Sequence, residues 1–599
     1  MNKIRLTVIV AALSLLATGL FPSNLMAWTP GYQFLAAGSS AQFNSVAMAA
    51  LQPGAGGVNN TPCTGGVASN HWTSKSALGT SGMQIHDPRS TSIPDEPGSV
   101  WIGWNQDFIN GMDGNVTGAG IICAYVSLDS TVGMREFFAN GQMILNSPAG
   151  TADAGTLVPL LSAGVALPSE VVAFFATQPV INVAASDIRP EDAKFATIRA
   201  MDGPAGSQMT GNSYQALGYG GPVGTPIKGT EAGNKAMQVV DFVIDQTPPQ
   251  DTDPFTGAVP RNYLTINIGA APVLVIKNIT NSAAGHLGDT NYQQINRYNL
   301  ANVFSGIDDQ IRQIGTESPQ PAAYPLHVFI REPLSGTYNT FDFCITCSQE
   351  RYIGFTGTSY NCQETNVNPA SCPTPGASCG NPFFYTGYNG ATRQRVIGTG
   401  DMVTAVSSTA DGIGYAFWGY GNFSGKNSTL AYMPVDNHDP LYASPSANTG
   451  GVGYFPQCSS LPCGVIPFTN VKNGTYPIWS MYRWVYDQTD PHQFENGILT
   501  YLDPAAGSYV EDFVPASQMS VFRSHFTQVV RTDGVATYPS NGITTNNHGS
   551  EPREFGGDMG GQVFTVQSEM DYADDAIAAG TCSEWTITNQ SCEQIQYHQ

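Results

Sequence analysis

The 599-residue sequence predicts an α/β fold. Three observations carry the prediction. Short apolar runs of strand length recur along the chain. Segments of helical length sit beside several of them, the alternation expected where helices cover a sheet. Glycine (65 residues) and proline (40 residues) gather in polar stretches between the runs, so the elements are short and joined by many turns.

The elements follow in order. The apolar run from Phe34 to Ala37 reads as a strand that ends at Gly38 and opens a helix near Phe43. Residues 120–126 form a second strand, followed by a helix at 132–140. A helix is expected at 169–176, a strand at 180–185 and a helix at 192–199. Two separate strands are expected at 264–268 and 272–276, then a helix at 291–304 and a strand at 326–330. Turn-rich stretches at 201–265, 357–395, 437–475 and 532–561 interrupt this framework.

Composition excludes some function classes. Lys and Arg number 24 against 46 Asp and Glu, a net charge of −22, so the basic footprint of a nucleic-acid binder is missing. Hydrophobic residues (41%) and aromatics (10%) suffice for a core, which argues against wholesale disorder. Lys3 and Arg5, the apolar run 6–21 and Ala27 before Trp28 read as a signal peptide over residues 1–27. That run is shorter than the ~20 residues of a spanning helix, and no cysteine follows it as a lipid anchor. A periplasmic or extracellular location is expected.

Eleven cysteines in an exported chain point to disulfides. Local candidates are Cys458–Cys463 and Cys582–Cys592, and Cys63–Cys123 would close the N-terminal region. Cys344 and Cys347 have the spacing of a zinc half-site, but no second C-x-x-C follows, so structural disulfides are preferred. Asp251 and Asp253 begin like a calcium loop that Phe255 and Thr256 then break. No metal or cofactor is expected.

Three apolar strands end in small polar loops that open helices: Gly38 to Phe43, Asp129 to Gly133, and Ser335 to Thr337. A helix start presents unpaired N–H groups and favours anions, although Ser and Thr there also serve as plain caps. Arg331 lies four residues before Ser335 and offers a bidentate fork to an oxyanion. Asp187 ends a fourth apolar run, after Ser186. A carboxylate there accepts a hydrogen bond from an oxyanion that still carries a proton, as phosphate does near neutral pH, and repels one that carries none.

These segments resemble, in order, the phosphate-binding proteins of periplasmic phosphate ABC transporters. Gly38–Phe43 resembles their first loop. Leu128-Asp-Ser-Thr-Val-Gly133 resembles the second, with its phosphate-binding serine. Ala185-Ser-Asp187 resembles the segment bearing their aspartate. Arg331 with Ser335-Gly-Thr337 resembles their Arg…Ser-Gly-Thr signature, the most specific of the matches. Asp411-Gly-Ile-Gly-Tyr415 and Tyr476-Pro-Ile-Trp-Ser480 resemble a later strand and the return crossover.

The resemblance implies a type II periplasmic-binding-protein fold, with two α/β lobes, two crossovers and an anion in the cleft between them. Lobe 1 would combine residues 28–270, with an insertion at about 201–265, and residues 472–599. Lobe 2 would be 271–471, with a Cys-rich insertion at about 344–395. It implies inorganic phosphate as ligand, held by Ser40, Gln42, Ser130, Asp187, Arg331, Ser335, Gly336 and Thr337, an ABC permease in the inner membrane as partner, and no enzymatic activity. Gln42 departs from the family, which has Thr or Ser there. A surface protein that kept the fold without its ligand, and a secreted phosphatase-like hydrolase, are the alternative readings.

Overall fold

The computed structural model describes residues 30–188, 263–345 and 385–523, each with internal gaps, and residues 563–565. The signal segment 1–27, most of both expected insertions, the helix expected at 192–199, the stretch 251–256 and 532–561 lie outside the described residues. So do Cys347, Cys458, Cys463, Cys582 and Cys592. Among the described residues no helix is long and apolar enough to cross a membrane.

The chain is a mixed α/β protein built on one 15-stranded sheet. Its first part contributes β1 (Pro30–Ser39), α1 (Phe43–Leu51), β2 (His71–Ser74), β3 (Met83–His86), β4 (Glu96–Asn105), β5 (Gly120–Leu128), α2 (Ser130–Phe138), β6 (Gln142–Leu145), α3 (Ser169–Ala176) and β7 (Val183–Ser186). The long strand β8 (Leu264–Asn278) follows. Then come α4 (Arg297–Phe304), β9 (His327–Arg331), α5 (Gly336–Phe341), β10 (Tyr385–Thr386), β11 (Thr392–Val396), α6 (Thr399–Ser408), β12 (Gly412–Phe417), α7 (Tyr420–Phe423) and β13 (Leu430–Met433). The chain returns through α8 (Thr469–Lys472), β14 (Trp479–Tyr486) and β15 (Val514–Pro515).

Two halves of the sheet repeat one pattern. In the first, β1 lies between β5 and β7, parallel to both. β14 then runs antiparallel between β7 and the beginning of β8. In the second, β9 lies between β11 and β12, parallel to both. The end of β8 runs antiparallel between β12 and β13. β8 therefore belongs to both halves, and the chain crosses twice between them, out through β8 and back before β14.

The strands expected at 264–268 and 272–276 are in fact this single strand. Leu264 to Pro272 pair with β14, and Val273 to Lys277 pair with β12. Proline, with no N–H to donate, sits where the pairing changes partner. Gly269 is required by close approach, since a Cβ there would lie 2.3 Å from the Val514 carbonyl oxygen. Among the described residues, the other helix and strand expectations are met, most of them with shifted ends. The helix expected at 291–304 is a short 3₁₀ turn at Thr290–Tyr292 followed by α4. Asp289 caps that turn by accepting from the backbone N–H of Asn291. Just before β7, the Asn182 side chain accepts from Leu35 N at 2.9 Å while its backbone N–H donates to the Leu35 carbonyl at 3.0 Å. α2 ends at Phe138, where the chain turns through Asn140 with φ of 57°.

Both faces of the first half are covered, as a parallel sheet requires. Leu35 and Ala37 of β1 pack with Ile122, Ala124 and Val126 of β5 on one face. Phe34 and Ala36 pack with Cys123, Tyr125 and Trp101 on the other, in a cluster that continues into the second half. Cys63 and Cys123 form the disulfide that the sequence suggested. By closing a loop with a sequence separation of 60 residues, it restricts the unfolded chain by about 4 kcal/mol in the entropic model.

Candidate anion-binding site

In an α/β sheet, ligands bind beyond the carboxyl ends of parallel strands, where successive connections leave in opposite directions. β1 and β9 are the two such points here, each flanked by a parallel strand on either side. Their carboxyl ends carry Ser39 and Arg331, and those of β5 and β7 lead into Asp129–Ser130 and Asp187.

The backbone at this place is built to let segments touch. Gly38 has φ of 137°, and a Cβ there would lie 2.1 Å from the Ala185 carbonyl oxygen. Gly133 on the first turns of α2 lies against Gly38, so the helix start sits directly on the end of β1. A Cβ on Gly336 would stand 2.7 Å from both Asp187 Oδ2 and Ser130 Oγ. This last contact joins the start of α5, from the second half, to two side chains of the first.

Asp187 is 2% exposed. Ser39 Oγ donates to its Oδ1 at 2.5 Å, and its backbone N–H donates to Ser130 Oγ at 3.3 Å. Ser480 of β14 donates to its carbonyl oxygen at 2.7 Å. Burial pushes its carboxyl up to about 6, opposed by the Ser39 hydroxyl, the Arg331 charge and the Gln42 and Ser130 side chains. At neutral pH it is an ionised acceptor poised close to protonation.

Arg331 is 1% exposed. Its Nη1 donates to Thr337 Oγ1 at 3.2 Å and to Thr399 Oγ1 at 3.3 Å. Its Nη2 faces Asp129 Oδ1 at 3.4 Å. Its backbone N–H donates to the Tyr415 hydroxyl at 3.2 Å, which fixes the strand end that carries it. Ser335 Oγ accepts from Thr337 N at 3.1 Å.

Six of the eight residues singled out from the sequence, Ser130, Asp187, Arg331, Ser335, Gly336 and Thr337, are buried and lie along this one chain of contacts. Ser40 reaches it through Thr399, Oγ to Oγ1, at 3.3 Å. Gln42 is held differently. Its Nε2 donates to the Ser186 carbonyl at 2.8 Å and its Oε1 accepts from Trp484 Nε1 at 3.0 Å, so its amide braces the strand that carries Asp187.

Ser39, Thr399, Asp129 and Tyr415 also belong to the constellation. A Ser-Ser pair after a glycine could have pointed to Ser39. Gly398 and Thr399 at the head of an apolar segment could have pointed to α6. Asp129 opens the second loop and Tyr415 ends the segment 411–415, but the partners that bring them here are more than 80 residues away.

No family model and no curated protein matches the chain. Among solved structures, it is similar to a phosphate-binding protein from Stenotrophomonas maltophilia, at 12% identity over 63% of this chain and 74% of that one, with a TM-score of 0.26. It is also similar to an ABC-type phosphate transport receptor from Vibrio cholerae, at 11% identity over 41% of this chain and 72% of that one, with a TM-score of 0.21.

Proposed function

We propose that this chain is an exported solute-binding protein for inorganic phosphate or a similar oxyanion, serving uptake through an ABC permease or scavenging. One observation carries the reading: a buried guanidinium and a buried carboxyl, Arg331 and Asp187, meet among the hydroxyls of Ser39, Ser130, Thr337 and Thr399 at the carboxyl ends of parallel strands from both sheet halves. A cation, hydroxyl donors and one acceptor are what a singly protonated tetrahedral anion requires. The two halves act as lobes that close on the ligand by a hinge. Binding rather than hydrolysis is favoured because Ser335 Oγ accepts from the backbone of Thr337, the role of a cap and not of a nucleophile. A net charge of −22 repels anions at long range, so affinity comes from these local groups.

Titration of the mature protein with inorganic phosphate, followed by tryptophan fluorescence and melting temperature, tests this. Trp484, bonded to Gln42, is the nearby reporter. Phosphate at ~100 times its Kd adds about 3 kcal/mol of stability. Arg331→Ala loses a charge-assisted contact worth ~1.5–3 kcal/mol, roughly 10- to 100-fold in Kd. No response of the wild type, or an Arg331→Ala variant that binds as the wild type does, overturns the assignment.

A further inference from the structure

We propose that Tyr482 is a further oxyanion-binding residue of this site. Its phenol O–H, carried by the return strand β14 and standing beside Asp187, donates to an oxygen of the ligand. The inference rests on the binding function proposed above and adds to it a donor from a crossing segment, outside the loops at the strand ends.

β14 runs antiparallel to β7, and Arg483 pairs with Ser186. One step further along, Tyr482 comes level with Asp187, and residues opposite each other in a ladder share a face of the sheet. Ser480 and Trp484, two positions either side of Tyr482, mark that face. Ser480 Oγ donates to the Asp187 carbonyl oxygen at 2.7 Å, and Trp484 Nε1 donates to Gln42 Oε1 at 3.0 Å. The Tyr482 ring packs on Phe417 of the second half and on Phe513 beside β15, with ring centroids 5.2 and 6.0 Å away. The phenol therefore stands where the two halves meet, next to the acid of the site.

Tyr482 is fully buried, yet among the described residues its hydroxyl has no hydrogen-bond partner. A buried phenol ordinarily finds one. The polar groups that act on it are committed elsewhere. Tyr125, the other phenol beside Asp187, donates to the Ser39 carbonyl at 2.6 Å. Asp512 accepts from Ser45 Oγ at 2.7 Å and from Tyr420 N at 2.8 Å. Asp187 Oδ1 accepts from Ser39 Oγ. Burial first, then the charges of Asp187 and Asp512, hold the Tyr482 phenol well above the ordinary tyrosine value, so it keeps its proton at neutral pH. A dry, protonated and unspent O–H beside the carboxyl of an anion site is a donor for an oxygen of the anion.

Tyr482→Phe removes one oxygen atom and keeps the ring packing. Inorganic phosphate is titrated calorimetrically into the mature wild type and the variant at pH 7.5, and each is also melted without phosphate. The expected result is a phosphate Kd raised about tenfold, as for the loss of a hydrogen bond to a charged group. The melting temperature without phosphate should equal or exceed that of the wild type, because an unpaired buried donor has been removed. A Kd raised by less than threefold overturns the role of Tyr482 and leaves the phosphate reading intact. A variant that melts lower without phosphate, or does not fold, shows that the hydroxyl bonds within the protein and overturns the role as well. A wild type that binds no inorganic phosphate overturns the phosphate reading and this role with it.

Discussion

Ser39 and Gln42 are three residues apart, and both side chains act on the Asp187 carboxyl. Ser39 donates to it directly, and Gln42 also spans from the Ser186 carbonyl to the Trp484 indole. Asp187 has the most testable chemistry. Its carboxyl, pushed up to about 6 by burial, is a charged acceptor only while ionised. Phosphate affinity is therefore expected to fall as pH drops through about 6. Asp187→Asn replaces an acceptor by a group that also donates. It should weaken phosphate binding roughly tenfold or more and narrow the preference over sulfate. Paired isothermal titrations with the two anions measure this, and an unchanged ratio removes the role assigned to Asp187.

Among the elements, α2 and α5 are held in place by glycine. Gly133 seats α2 on Gly38, and Gly336 lets the start of α5 approach Asp187 and Ser130. Gly336→Ala would place a methyl 2.6 Å from Asp187 Cβ and 2.7 Å from Ser130 Oγ, so one of the two segments must move. The expected cost is ~1–3 kcal/mol of stability, as for an overpacked core site. Because the displaced groups are those of the site, oxyanion affinity should fall further than melting temperature does. Calorimetry together with phosphate titration separates the two effects. An alanine variant that keeps wild-type affinity contradicts this packing. Sequence pattern located these loops correctly, because an apolar run broken by Gly, Ser and Thr has few other uses. It missed the continuity of β8, because Gly269 and Pro272 are ordinarily breaks and are tolerated here only by the partners that β14, β15 and β12 supply.

Over the whole molecule, several carboxyls are buried at a cost in free energy. Asp187, Asp439 and Asp512 are raised to about 6 and Glu136 to about 7, with burial the largest cause in each case. A raised carboxyl makes the native state hold protons that the unfolded chain has already released. These groups therefore contribute stability that is present below pH ~4 and is lost as pH rises through ~6–7. Asp512 is the cleanest probe. It joins Ser45 of α1 to the backbone N–H of Tyr420 in α7. Asp512→Asn should reduce the loss of stability between pH 4.5 and 7.5 by about 2 kcal/mol, read from denaturant unfolding at each pH. A variant with the wild-type pH profile excludes this contribution.

The sequence by itself determined the α/β class, the segments Gly38–Phe43, Ser130, Asp187 and Arg331…Thr337, and the candidate pair Cys63–Cys123. Each is written in a local pattern of hydrophobicity, turn residues or cysteine content. Tertiary structure decided which of those segments meet, that Gln42 reaches the Ser186 carbonyl, the Trp484 indole and the Asp187 carboxyl, that β8 is one strand shared by two halves, and that the Asp129 carboxylate faces Arg331. The physical reason is range. Periodicity and capping act over a few residues. A salt bridge between positions 129 and 331, or a clash at Gly336, depends on the way the chain crosses twice between its two sheet halves, and no local pattern encodes that.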